Sequence, residues 1–294
     1  MIKSKDAREI AANEILKRID EYCVGTFSDG HRTHLGASLI GNKCSRNLWY
    51  VFRWAKKIEH SGRLLRLFKR GHKEEENIVK LLRAIGFVVN EFDPESFNEE
   101  TGTYNQYRIS DCEGHFGGSL DGIGKLPKDI ADALQYHEPV LFEFKTISDK
   151  YFSKLSLNGM IIEKPVHFDQ TCVYGAKKEL KYCVYVTVNK NNDALHIEII
   201  ELDHENGIDN IRKATDIINS QEPPQKLSQS KTHFECRFCD FYEICHNNAE
   251  IDRNCRSCTY ASPVADAKWE CSKVNRIIPK EKIGDEQPCW VGVQ

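Results

Sequence analysis

The sequence predicts an α/β or α+β architecture over residues 1–220, a mixed central sheet flanked by helices, followed by a cysteine-rich, metal-bound C-terminal region. Three observations carry this reading. Segments with helical and with strand periodicity alternate through residue 220. Seven of the twelve cysteines fall between Cys236 and Cys289. The chain has 294 residues, 40% of them hydrophobic, enough for a large packed core. A mean hydropathy of −0.53 excludes a polytopic membrane protein, and no run approaches the ~18 apolar residues of a spanning helix. Residues 1–6 lead into no apolar stretch, so a secretory signal is not expected and the compartment is read as cytoplasmic and reducing. There, clustered cysteines serve as metal ligands more often than as disulfides.

Taken in order, residues 3–22 read as an amphipathic helix with Ile10, Ile15, Leu16 and Ile19 at helical spacing. A loop rich in Gly, Ser and His follows. Residues 41–73 then hold ten basic side chains against one acid, Glu59, interleaved with Trp49, Tyr50, Phe52 and Trp54. Residues 72–85 read as a helix closed by Gly86. Strand-like runs follow at 87–92, 104–109, 116–123 and 140–146, separated by Gly, Pro, Asn and Asp. A helix is predicted over 166–180, strands over 182–188 and 195–202 around an Asn/Asp turn, and a helix over 205–219. The Gln-, Ser- and Pro-containing stretch 220–232 reads as a linker.

The strand at 140–146 carries Glu143 and Lys145 on one face and Phe142 and Phe144 on the other. Upstream, Asp121 is framed by Gly117, Gly118, Gly122 and Gly124, which permit close approach of backbone or ligand. A glycine-framed Asp, a turn, and a hydrophobic strand bearing Glu-x-Lys resembles the PD-(D/E)xK nuclease superfamily, though the proline before Asp121 is absent. His72 and Glu75, three apart on a helix before the core, and Gln170-x-x-x-Tyr174 on the helix after it are similar to motifs of the RecB-like branch. That resemblance implies an α/β restriction-endonuclease-like core, with Asp121 and Glu143 as Mg2+ or Mn2+ ligands and His72 or Glu75 as a further ligand. Lys145 would orient water and stabilise charge, and Gln170 and Tyr174 would hold the strand or the lysine.

Cys44 lies before this core, and Cys236-x-x-Cys239-x5-Cys245 lies after it. This order resembles the iron–sulfur CRISPR-adaptation exonucleases and the AddB-type nuclease domains, which implies a 4Fe–4S cluster on these four thiolates. Cys255, Cys258, Cys271 and Cys289 remain in the tail and suit a structural Zn2+. By spacing alone, Cys236, Cys239, Cys255 and Cys258 also fit a zinc ribbon. Cys23, Cys112, Cys172 and Cys183 read as small buried hydrophobes.

The net charge of −3 argues against a uniformly basic nucleic-acid binder. It is nonetheless the sum of unlike segments, since residues 91–143 hold twelve acids and three basic residues. The basic stretch 41–73 reads as a DNA path, with Arg46, Trp49, Tyr50, Arg53, Arg66 and Arg70 as its contacts. Four regions are expected: a helical, basic DNA-binding segment at 1–75, a nuclease core at 76–220, the cysteine triplet at 231–246 closing on Cys44, and a zinc-binding tail at 252–294. The resemblance implies a metal-dependent DNA exonuclease of a bacterial or phage-infected cell, with a recombination or helicase protein as partner and no membrane. The alternatives are a structure-selective endonuclease of the same superfamily and a non-catalytic DNA-binding or assembly module.

Overall fold

A break inside one predicted strand organises the architecture. The computed structural model describes residues 7–28 and 30–293; residues 3–6 of the first predicted helix lie outside the described set. Helix α1 (Ala7–Phe27) is followed by a short β1 (Leu35–Gly36), then α2 (Ser45–Phe52) and α3 (Gly62–Ala84). Strands β2 (Val88–Asn90), β3 (Arg108–Asp111), β4 (Phe116–Ser119) and β5 (Gly122–Lys125) come next. The run expected as one strand over 116–123 is therefore two. β4 pairs with β1 and β3, whereas β5 joins β2 and β6 (Val140–Ile147) in another sheet.

Helix α4 (Lys128–Leu134) bridges β5 and β6, and α5 (Asp149–Asn158) and α6 (Met160–Glu163) lead into α7 (Pro165–Lys178). Sequence periodicity did not reveal α4, α5 or α6. The chain continues through β7 (Tyr182–Asn189), β8 (Leu195–Glu201) and α8 (His204–Asn219). The five-stranded sheet runs β2-β5-β6-β7-β8, with β6 and β7 parallel and the other pairs antiparallel. One face, with Phe142, Phe144, Val184 and Val186, packs on α3 and α4 through Ile78, Val79, Leu82 and Ala131. The other, with Leu141, Cys183 and Tyr185, packs on α7 and α8 through Val173, Tyr174 and Ala214. This is a mixed α/β fold with helices on both faces of the sheet. Among the described residues, no helix is long and apolar enough to cross a membrane.

The tail after 220 contains α9 (Phe234–Arg237), α10 (Tyr242–Asn247) and an antiparallel sheet of β9 (Ala261–Val264), β10 (Lys268–Cys271) and β11 (Arg276–Ile278).

Two N-terminal expectations are corrected. The apolar side of α1 is not buried: Ile10, Ile15, Leu16 and Ile19 are 45% to 60% exposed. The helix touches the body near its C-terminal end, where the lack of a side chain at Gly62 admits the Asp20 backbone and Arg66 bonds Asp20 and Cys23. The aromatic residues Trp49, Tyr50, Phe52 and Trp54 are core instead of stacking platforms. Trp49 and Arg53 are fully buried, and Tyr50, Phe52 and Trp54 nearly so. Trp49 Nε1 donates to Ser220 O (2.9 Å), and Arg53 Nη1 donates to Ala261 O (2.8 Å). These bonds fasten α2 to the chain leaving α8 and to the tail sheet. Trp49, Tyr50 and Arg53 are thus withdrawn from any DNA surface.

Candidate functional site

The strand break positions Asp121. In the β5–β6 pairing Gly122 lies opposite Phe142, so continued pairing would set residue 120 against Phe144. The chain instead turns back into β4, and Leu120 N donates to Tyr107 O (2.9 Å). The Phe144 N–H left over is taken by Asp121 Oδ2 at 2.8 Å, which satisfies a ladder donor that would otherwise be orphaned. The Asp121 carboxylate is thereby held at the edge of β6, 3.9 Å from Lys145 Nζ.

Glu143 and Lys145 share a face of β6, as alternation requires. The Lys145 ammonium donates to Glu143 Oε1, which also accepts from Gln170 Nε2 at 3.0 Å. Gln170 Nε2 in turn lies 3.2 Å from Tyr174 Oη. Gly118 makes room for that hydroxyl, since a Cβ there would sit 2.6 Å from it. Side-chain exposure is 26% at Lys145, 19% at Asp121 and 0% at Glu143. Lys145 lines the solvent cleft, Asp121 is partly exposed beside it, and Glu143 stands behind them. Its Oε2 is buried without a hydrogen-bond partner among the described residues.

Glu75 on α3 completes the group. Burial and then the Asp121 charge push its carboxyl up to about 7, against the pull of Lys145. Burial, with Asp121 next, likewise holds Glu143 well above the usual carboxylate range. At Lys145 burial opposes the charge, but Glu143 and Asp121 outweigh it and keep the ammonium protonated. Three carboxylates around one ammonium leave an excess of two negative charges when all are ionised, a crowding that adds to burial in raising the two acids. His72 is exposed one turn away and lines the same cleft as Glu75 and Lys145.

That cleft encloses about 800 Å³, and its wall carries Arg32, Lys56, Lys57, Lys69 and Lys190 beside Lys145. The basic segment does reach the site, but through side chains other than those expected. Arg46 instead bonds Tyr50 Oη (3.1 Å) and Pro224 O (3.1 Å), Arg66 pairs with Asp20, and Arg70 bonds Lys190 O (3.1 Å). His167 was also unforeseen. Its Nδ1 lies 2.8 Å from Tyr185 Oη, and burial, then Lys145, holds its pKa down to about 3, so the ring is neutral. The usable signal was helical spacing, because 167, 170 and 174 follow an i, i+3, i+7 stripe.

Eight of the twelve cysteines fall into two groups. Cys44, Cys236, Cys239 and Cys245 line one cavity of about 830 Å³. Asn47 N donates to Cys44 Sγ (3.4 Å), and Asn47 Nδ2 donates to Cys239 Sγ (3.2 Å). Cys255, Cys258, Cys271 and Cys289 line another cavity of about 20 Å³. The zinc-ribbon alternative drew two thiols from each set, and the structure puts those pairs in different cavities. Cys23, Cys172 and Cys183 are buried, whereas Cys112 is half-buried with Sγ 3.1 Å from Thr215 Oγ1. Among the described residues, no group of three or more His, Cys, Asp or Glu side chains is arranged to hold a metal ion as it stands.

No family model and no curated protein matches the sequence. Among solved structures, the chain is similar to an alkaline exonuclease from Laribacter hongkongensis at 14% identity, covering 67% of this chain and 90% of that one, with a TM-score of 0.41. The complex of that enzyme with dAMP gives 12% identity, coverage of 68% and 90%, and a TM-score of 0.41. The protein SSO0001 gives 15%, 82%, 98% and 0.39 in the same order. Likenesses this slight assign neither fold nor function, so the reading below rests on the chain's own residues.

Proposed function

We propose that this chain is a divalent-metal-dependent deoxyribonuclease of the PD-(D/E)xK type, RecB-like branch, acting as an exonuclease in recombination, repair or phage DNA processing. One observation carries the reading: Glu75, Asp121 and Glu143 crowd around Lys145, which with Glu75 lines a lysine-bearing cleft. The donor set fits a hard divalent cation. Its three carboxyls are all oxygen, they carry two negative charges beyond Lys145 once all are ionised, and Glu143 Oε2 is buried with no partner among the described residues. Asp121, Glu143 and Glu75 would hold Mg2+ or Mn2+, with His72 as a further donor. When bound, the cation supplies neutralisation of the scissile phosphate and acidification of an attacking water.

The chain's own residues supply the rest. Lys145 faces the cleft with its ammonium beside Asp121 and Glu143, so it can orient the water and stabilise charge that develops on the phosphate. Gln170 fixes the orientation of Glu143 and is itself braced by Tyr174. Arg32, Lys56, Lys57, Lys69 and Lys190 offer a track for the phosphate backbone. Cys44, Cys236, Cys239 and Cys245 would hold a 4Fe–4S cluster with a structural role. A shared cavity and two donors from Asn47 to sulfur support this.

End-labelled single- and double-stranded DNA, incubated with Mg2+, Mn2+ or EDTA and resolved by length, tests the proposal. A metal-dependent ladder growing from one end is expected, and it gives the polarity. Lys145→Ala should abolish it while leaving DNA binding largely intact. Unchanged Mn2+-dependent cleavage by that variant would sink the assignment.

A further inference from the structure

Two arginines in the interior have no carboxylate partner among the described residues. Arg53 is fully buried and Arg256 is 1% exposed. Their hydrogen bonds reach only uncharged oxygens: Arg53 to the carbonyls of Ser220, Arg256 and Ala261 and the amide of Gln221, and Arg256 to the carbonyls of Arg32 and Thr33. Nε of both residues and Nη2 of Arg256 are buried without a partner among the described residues. The guanidinium of Arg256 lies 4.5–4.6 Å from the ring centres of Phe52, Trp54 and Trp269, and that of Arg53 lies 5.2 Å from Trp269. Aromatic faces offset part of the cost of burying a cation. Two cations packed around one indole still require a counter-charge.

One candidate source is the tail's thiol set, which adjoins Arg256 in the chain. Arg256 lies between Cys255 and Cys258, and Arg53 feels the Cys258 thiol electrostatically. The Cys255–Cys258 turn is closed by Cys258 N donating to Cys255 O (3.1 Å), and Cys258 Sγ accepts from Val291 N (3.5 Å). Cys271 ends β10, and Cys289 comes from the last segment, so three chain segments bring four thiols to one cavity. At about 20 Å³ it has room for a single ion-sized guest. As neutral thiols the four cysteines supply no charge. As thiolates around a divalent ion they supply a net charge of −2, equal and opposite to the two guanidiniums.

We propose that Cys255, Cys258, Cys271 and Cys289 bind one Zn2+ through four thiolates, and that this site is the counter-charge for buried Arg53 and Arg256. The strands β9, β10 and β11 have four, four and three residues, too few to bury a core of their own. A structural metal is how modules of that size are fastened. The inference goes beyond the nuclease reading and does not depend on it, because metal content and spectra are measured without DNA.

The test uses the full chain, prepared with zinc, with zinc and iron measured per chain. One equivalent of zinc is expected. Cys271→Ser and Cys289→Ser should each lose it, whereas Cys44→Ser should keep it. Co2+ in place of zinc should show thiolate charge-transfer and tetrahedral d–d bands. A reduced chain that takes up no zinc, or zinc unaffected by Cys271→Ser and Cys289→Ser, overturns the site. Charge matching is read from chelator competition: Arg256→Met should weaken zinc binding about 10–100-fold, the usual loss for a residue supporting a metal's ligands. Arg256→Lys should retain most of it. Should either Arg256 variant not fold, the same comparison at Arg53 decides. Equal zinc affinity in the Met and Lys variants overturns the counter-charge role.

Discussion

Glu75→Gln separates the electrostatics of the site from its packing. Burial and the Asp121 charge raise the Glu75 carboxyl from 4.5 to about 7. An acid whose folded pKa exceeds its unfolded one binds more protons in the folded state. Its contribution is fully present below about pH 4.5 and is lost as pH rises through about 7. At about 1.4 kcal/mol per unit, the shift sets a ceiling of about 3 kcal/mol. Glu75 keeps some solvent contact, so roughly 1–2 kcal/mol is expected. Gln cannot ionise. Without metal, the variant should match the wild type near about pH 4.5 and exceed it by roughly 1–2 kcal/mol near about pH 8. With Mn2+ the order should invert at the higher pH, because the wild type offers an ionised carboxylate that the variant lacks. Below about pH 6 the wild-type group is mostly protonated, so the two proteins should respond alike to Mn2+. Urea denaturation across this range, with EDTA or with Mn2+, reads all three expectations. Parallel metal-free stability curves, or equal Mn2+ stabilisation near about pH 8, would refute the assignment of Glu75 to the cation group.

Gln170→Ala leaves the buried Glu143 carboxylate with one donor fewer, and a loss of about 1–3 kcal/mol in denaturation is expected, with slower cleavage. Lys56→Ala combined with Lys57→Ala removes two cations from the cleft wall. DNA affinity should fall, and the salt slope of binding should flatten by about one to two. Trp49→Ala empties a fully buried site and should cost about 3–5 kcal/mol. The DNA affinity of the fraction that remains folded should be unchanged, because the ring faces the core.

The alternation of β6 was legible because a strand's period is fixed by its geometry: Glu143 and Lys145 had to share a face, with Phe142 and Phe144 behind them. The pairing of Gln170 with Tyr174 followed from helical spacing in the same way. What was not legible depended on long-range partners. A run of ten basic residues says nothing about which of them face solvent. Arg53 turned inward because Trp49, Trp269 and the carbonyls of Ser220 and Ala261 receive it. Lys56 and Lys57, only a few residues on, turned outward. The break at Leu120 and Asp121 was hidden for a related reason: the glycines of 116–123 suit a bulged strand as well as a turn, and only pairing with two different sheets divides it. Helices α5 and α6 gave little signal, since Leu157, Ile161 and Ile162 remain exposed and no apolar stripe marks a buried face.

The tail's position beside the cleft gives its cysteines a bearing on function without any part in the chemistry. Asp252 Oδ2 accepts from Lys57 N (2.6 Å), and Asp252 N donates to Ala55 O (2.8 Å). Asn254 Nδ2 donates to Trp54 O (3.0 Å), and Trp54 Nε1 donates to Arg32 O (2.8 Å). Trp54 itself stands at φ +52°, a left-handed conformation that a bulky residue adopts only under restraint. The stretch carrying Lys56 and Lys57, and the loop carrying Arg32, thus take their shape from residues 252–256 as much as from their own sequence. Losing the order of that tail would release the cleft wall while leaving Asp121, Glu143 and Lys145 held by β5, β6 and α7. Under the proposed nuclease reading, the cost would fall on how the chain grips a phosphate backbone, and much less on the carboxylate–lysine group beneath it.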